Sequence, residues 1–136
     1  MINYNYEIDF LLPNESDISV WILNTISTEG YKIEEINYVF CDDDYLHKLN
    51  VEFLNHDTLT DVISFDYSVG KIIQGDIFIS VERVRENALE FNTTFENELM
   101  RVMIHGVLHY CGYKDKSESD ELTMRAKEDF YLERLT

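Results

Sequence analysis

Apolar and polar residues alternate over the first ten positions, so that Ile2, Tyr4, Tyr6, Ile8 and Phe10 share one side of an extended chain. A period of two predicts a strand over 2–10, ended by Pro13. The spacing then lengthens to a helical one: Ile18, Trp21, Ile22 and Ile26 follow Ser16 or Asp17, either of which can cap a helix that stops near Gly30. Alternation returns at 33–41 (Ile33, Ile36, Tyr38, Phe40) and predicts a second strand. Asp42, Asp43 and Asp44 then supply a cap and the negative charge that favours a helix N-terminus, for a helix to about Asn55. Residues 61–67 and 71–80 read as two further strands around a turn at Gly70. Ser80 caps a helix over about 81–91, another spans about 95–111 until Gly112, and a last one runs from about Ser119 to Leu135.

The order β-α-β-α-β-β-α-α-α predicts an α/β (α+β) fold, a small mixed four-stranded sheet packed with about five helices. No repeat, low-complexity tract or linker interrupts the chain, and 136 residues suit one domain over 1–136. A 45% hydrophobic content supports a substantial core. There is no run of about 18 apolar residues to cross a membrane. The N-terminal segment lacks the basic residues and apolar run of a signal peptide. Cys41 and Cys111 do not make a disulfide framework, so a cytoplasmic location is expected. Charge narrows the picture: 27 acidic against 11 basic residues give a net −16, and no Lys or Arg occurs before Lys32. That field opposes broad, non-specific binding to phosphate backbones, while leaving room for a local basic cleft or a bound cation.

Chemistry concentrates at His105-Gly106-Val107-Leu108-His109-Tyr110-Cys111-Gly112-Tyr113-Lys114-Asp115. Residues four apart share a helix face, so both imidazoles can reach one ion. Met103, Val107 and Cys111 fall on other faces and can anchor the helix in the core. Gly112 suits the left-handed residue that ends a helix, and the resulting bend could bring Asp115 round as a third ligand. Two imidazoles and a carboxylate with one open position are a catalytic zinc arrangement, so one divalent ion per chain is expected. The segment resembles the metal helix of a metalloprotease, His-Glu-x-x-His with Gly and a further ligand beyond. Here, however, the general-base glutamate is replaced by Gly106, which disfavours a zinc peptidase.

With glycine in that slot the segment resembles the signature H-G-x-L-H-x-x-G-Y-D-H of the YbeY family of rRNA-maturation endoribonucleases. Leu49-Asn50 ahead of Thr60-Asp61-Val62-Ile63-Ser64-Phe65 is similar to the family's L-N … T-D-V-L-S-F, and Gly75-Asp76-Ile77-Phe78-Ile79 to its G-D-I-x-I. Glu98, Leu108, Met124 and Glu128 fall in the expected register, and the match runs from about residue 40 to the C-terminus. The resemblance implies a central sheet with helices, zinc held by three histidines, and single-strand-specific RNA cleavage in 3′-end maturation of small-subunit rRNA. It further implies a role in ribosome quality control, with single-stranded RNA and the small ribosomal subunit or an rRNA precursor as partners and no membrane.

This chain departs from the pattern at three places: Asp115 replaces the third histidine, Lys114 the acid before it, and Leu54 a family arginine. Aspartate is an acceptable zinc ligand and shifts preference towards harder ions. Loss of the arginine removes a natural phosphodiester clamp, for which Lys114, Lys116 or Arg101 could substitute. The expected site is therefore His105, His109 and Asp115 on the metal, with His105, Asp76 and Glu98 as catalytic residues. Asp76, Asp61 or Glu98 would orient a ligand imidazole or act as base. His56 reads as a surface residue that could approach the site, and Cys111 as core. The alternatives are the peptidase and a non-catalytic ribosome-associated factor with a structural metal.

Overall fold

A computed structural model describes residues 1–54 and 60–135. Its elements are β1 (Ile2–Tyr6), α1 (Glu15–Thr28), β2 (Lys32–Cys41), α2 (Asp43–Leu54), β3 (Val62–Asp66), β4 (Ile72–Ser80), α3 (Val81–Glu90), α4 (Phe95–Tyr110) and α5 (Glu118–Leu132). The sheet order is β1-β2-β4-β3; β1, β2 and β4 run parallel and β3 pairs antiparallel with β4. This is the mixed four-stranded α+β arrangement the periodicity predicts.

Strand parity sorts the side chains. Ile36, Tyr38 and Phe40 of β2 and Ile73, Ile77 and Ile79 of β4 are fully buried on one face. Trp21, Ile22 and Ile26 of α1 and Leu99, Met103, Ile104 and Val107 of α4 close that core. The other face is smaller: Leu46 of α2 meets Cys41 and Ile63, with Phe65 and Phe78 at its margin. Both cysteines are free and buried, and burial pushes each thiol up to about 12.

Two glycines let α4 lie unusually close to the sheet. A Cβ at Gly106 would stand 2.8 Å from Ile77 Cδ1, and one at Gly75 would stand 2.4 Å from the Tyr110 hydroxyl and 2.6 Å from the Phe65 carbonyl oxygen. The Tyr110 hydroxyl fills the space that Gly75 leaves, 3.0 Å from the carbonyl oxygens of both Phe65 and Asp76. Helix α4, which carries His105 and His109, is thereby pinned to β3 and β4.

Three boundaries differ from the sequence reading. β1 stops at Tyr6 rather than Phe10: Glu7 still donates to the Phe40 carbonyl, but β2 ends at Cys41, so nothing remains to pair with. Phe10 instead packs on Phe40 and Phe95. The α1 cap is Asn14, in a left-handed conformation without a side-chain cap bond, and Ser16 and Asp17 lie inside the first turn. α5 ends at Leu132 rather than Leu135 and begins at Glu118, where Ser117 caps it by accepting from the Asp120 amide. His56 lies outside the described residues.

Glu29, just past the C-terminus of α1, ties the loop after α4 to α5. Its carboxylate accepts hydrogen bonds from Tyr113 Oη at 2.7 Å, Lys127 Nζ at 3.2 Å and Tyr131 Oη. Burial acts to raise its pKa, but those three donors outweigh burial and hold it below the ordinary carboxylate value. A depressed folded-state pKa stabilises the fold above the unfolded-state value and loses that contribution as pH falls through the folded one. Glu29→Gln is thus expected to cost on the order of 2 kcal/mol at neutral pH and progressively less in acid, read from urea melts across pH.

Candidate metal centre

The sequence of α4 and its exit assembles the cluster locally. Thr94 caps the helix by accepting from the Asn97 amide. His105 and His109 follow one turn apart, their rings 4.5 Å between centroids and nearly perpendicular. At the exit, Gly112 takes φ +96°, the Gly112 amide donates to the His109 carbonyl, and the Tyr113 amide donates to the Leu108 carbonyl. This is a Schellman closure, which a side-chain-bearing residue at 112 would strain. It reverses the chain and returns Asp115 to the histidines.

The hydrogen bonds fix the tautomers. The Tyr113 carbonyl lies 2.9 Å from His109 Nδ1. A carbonyl can only accept, so Nδ1 carries the proton and Nε2 presents a lone pair. His105 Nδ1 lies 2.7 Å from Glu128 Oε2, which orients it in the same sense. The two Nε2 atoms are 3.0 Å apart, and Asp115 Oδ2 sits 3.3 Å from that of His105 and 3.2 Å from that of His109. Three electron-pair donors therefore converge on one point. A proton can bridge only two of them, whereas a divalent ion satisfies all three.

The fit to such an ion is close. Donors about 2.0–2.2 Å from a tetrahedral zinc are roughly 3.3–3.6 Å apart, within a few tenths of an ångström of these separations. His105, His109 and Asp115 are the group able to hold a metal among the described residues. Each is half-buried, which leaves one side open to a substrate.

Behind His105 stands a charged chain that the sequence alone does not reveal. Glu128 is 4% exposed, and Arg101 donates to its Oε1 at 2.9 Å and to Asp129 Oδ1 at 2.7 Å. Burial lowers the His105 pKa, but the Glu128 bond outweighs it, with Asp115 and Asp61 adding to the rise, so the net shift is upward. A carboxylate on the far nitrogen of a ligand imidazole fixes the ring and raises its basicity. Glu128→Gln keeps the shape but removes the charge. Zinc affinity is expected to fall about tenfold, read by competition with a chromophoric chelator.

Two hollows flank the cluster and share His105, Asp115, Arg125 and Glu128. One, of about 320 Å³, is walled also by Asp61, Glu98 and Arg101; the other, of about 560 Å³, by Glu118, Glu121 and Leu122. Glu98 is 6% exposed, and both it and Asp61 have raised pKa values, in each case first through burial. The charge of Asp61 adds to the rise at Glu98.

Of the residues singled out in the sequence, His105, His109, Asp115, Glu98 and Asp61 come together. Asp76 does not. Gly75 and Ile77 face α4, so the intervening side chain points through the opposite face, where Asp76 accepts from Asn37 Nδ2 at 3.0 Å. The orienting role considered for Asp76, Asp61 or Glu98 is filled by Glu128. Its signal was available: a lone carboxylate in the apolar stripe Met124, Glu128, Tyr131 of α5. Leu54 ends α2, and Lys114 and Lys116 are exposed and line neither hollow.

Comparison with known proteins shows the family. The family model described as Endoribonuclease YbeY matches residues 5–136. Among curated proteins, the Endoribonuclease YbeY of Flavobacterium johnsoniae is 63% identical over 129 residues, covering 95% of this chain and 93% of its own. That of Flavobacterium psychrophilum is 64% identical over 129 residues, covering 95% and 92%. That of Karelsulcia muelleri is 51% identical over 132 residues, covering 97% and 94%. Among solved structures, the solution structure of TM1509 from Thermotoga maritima superposes with a TM-score of 0.73 at 29% identity, covering 99% of this chain and 89% of that one.

Proposed function

The chain belongs to the YbeY family of endoribonucleases, and from that premise we propose that it cleaves single-stranded RNA with one divalent ion held by His105, His109 and Asp115. The observation that carries this reading is the convergence of Nε2, Nε2 and Oδ2 within 3.0–3.3 Å of one another. Two imidazoles and a carboxylate suit zinc, with the carboxylate allowing a harder ion as well. When bound, the ion supplies Lewis acidity to a phosphoryl oxygen and to a water molecule.

The protein's own residues do the remainder. Glu128 and the Tyr113 carbonyl hold the two ligand rings in the tautomer that presents Nε2. The Asp61–Glu98 pair, in the hollow beside His105, accepts the proton released by the attacking water. Raised carboxyl pKa values suit that task, because a base near the working pH transfers protons most effectively. Asp76, assigned a catalytic role by sequence, has no part in this scheme. Gly106 packs against Ile77 where a peptidase would need its glutamate, which weighs against peptide hydrolysis.

In the cell, the reading extends to 3′-end maturation of small-subunit rRNA and ribosome quality control in the cytoplasm, with the small ribosomal subunit or its rRNA precursor as partner. Residues 1–136 then act as a single domain. Among the described residues no helix is long and apolar enough to cross a membrane. The test is cleavage of matched single-stranded and duplex RNA by protein purified without a histidine tag, with and without EDTA, and by Asp115→Ala. Single-strand cleavage abolished by EDTA and by the substitution supports the reading. Equal cleavage by wild type and variant, or none by either, rejects it.

A further inference from the structure

The walls around the metal cluster pose an electrostatic problem for a polyanionic substrate. Asp61, Glu98, Asp115, Glu118, Glu121 and Glu128 line the two hollows, against Arg101 and Arg125. A phosphodiester entering there meets repulsion that a single ion offsets only in part. Arg101 is poorly placed to help: its side chain is 14% exposed, and both terminal nitrogens are bound, at 2.9 and 2.7 Å, to Glu128 and Asp129.

Arg125 differs in each respect. Its side chain is 61% exposed, and Nη1 approaches Glu128 Oε1 no closer than 3.8 Å, beyond hydrogen-bond distance. It lines both hollows and therefore stands on the rim they share, next to the candidate metal ligands His105 and Asp115. Its neighbour Met124, 2% exposed, anchors that turn of α5 in the core, which sets where the long side chain begins. A guanidinium offers a planar pair of donors that matches two phosphate oxygens, with little desolvation cost at an exposed rim.

We propose that Arg125 binds a backbone phosphate of the RNA and positions the strand across the metal cluster. The assignment rests on the endoribonuclease reading. It places the phosphate clamp on α5, in a chain whose α2 ends in Leu54 and whose Lys114 and Lys116 line neither hollow.

The experiment compares wild type, Arg125→Ala and Arg125→Lys. Binding of a short fluorescein-labelled single-stranded RNA is titrated across salt concentrations with EDTA present, and cleavage of the same RNA is followed with zinc-loaded protein. Arg125→Ala should weaken binding roughly tenfold, the usual scale of one charge-assisted contact. The slope of log affinity against log salt should fall by about 0.7, the value for one phosphate contact on a single strand. KM should rise roughly tenfold with kcat changed less, and zinc content should stay equal. Arg125→Lys should restore the slope but only part of the affinity, because a point charge cannot make the paired contact. If Arg125→Ala matches a wild type that binds and cleaves RNA, the Arg125 assignment is overturned and the endoribonuclease reading stands. If wild type itself neither binds nor cleaves RNA, both are overturned.

Discussion

A Gly106→Glu variant is expected not to fold, rather than to acquire the peptidase activity that a His-Glu-x-x-His motif would suggest. Position 106 is buried, and its Cα faces Ile77 of β4, not the open side of the cluster. A Cβ there stands 2.8 Å from Ile77 Cδ1 and 3.4 Å from two further carbons of the same side chain. The nearest of these is the end of a flexible side chain that can turn aside. Gly106→Ala should therefore remain folded, its clash offset in part by about 1 kcal/mol of helix propensity. Glutamate would drive a carboxylate into the layer where the three atoms nearest the new Cβ are all carbons of Ile77. Burial of an unpaired charge costs several kcal/mol, comparable to the whole stability of such a domain. Circular dichroism and urea melts of the two variants check this: alanine within about 2 kcal/mol of wild type, glutamate losing its cooperative transition.

Asp61→Asn should be as damaging to catalysis as Gly106→Glu is to folding, while leaving the fold intact. Asp61 is half-buried, accepts from Asn87 Nδ2 at 3.4 Å, and shares the smaller hollow with His105, Glu98 and Asp115. Asparagine keeps the shape and the acceptor for Asn87 but cannot take a proton. If the Asp61–Glu98 pair serves as base, kcat should fall by about 10²–10⁴, the usual contribution of general-base catalysis. Zinc content and RNA affinity should hold, since Asp61 lies outside the ligand triangle. Glu98→Gln should give a similar loss, and the double variant little more than either alone, because groups that act as a unit in one step do not lose rate additively. Full additivity of the two losses would show that they act separately.

The grouping of the candidate ligands His105, His109 and Asp115 was legible in the sequence because their geometry is local. The i, i+4 spacing sets both imidazoles on one face, and Gly112 dictates the turn that returns Asp115, six residues after His109. Glu98, singled out through the family register, lies two helical turns before His105 on α4 and lines the hollow beside it. Asp76 was misplaced for want of strand parity. Once Gly75 and Ile77 are seen to meet α4, their neighbour must face the other way. Glu128 stands out in the sequence as a lone carboxylate in the apolar stripe of α5, but its bond to His105 arises only through tertiary packing across 23 positions, and the place of Arg125 beside the cluster follows from that same packing. The β1 end and the α1 cap were set likewise by the partner strand's length and by a left-handed Asn14, neither of which a hydrophobic period records.

Anomalous scattering at the zinc edge, from crystals of untagged protein grown with zinc and without chelator, probes the ligand triangle directly. One peak per chain is expected, roughly 2 Å from His105 Nε2, His109 Nε2 and an Asp115 oxygen, and lost in Asp115→Ala. A peak held by other residues, or none at the triangle while zinc is present in excess, would contradict this coordination.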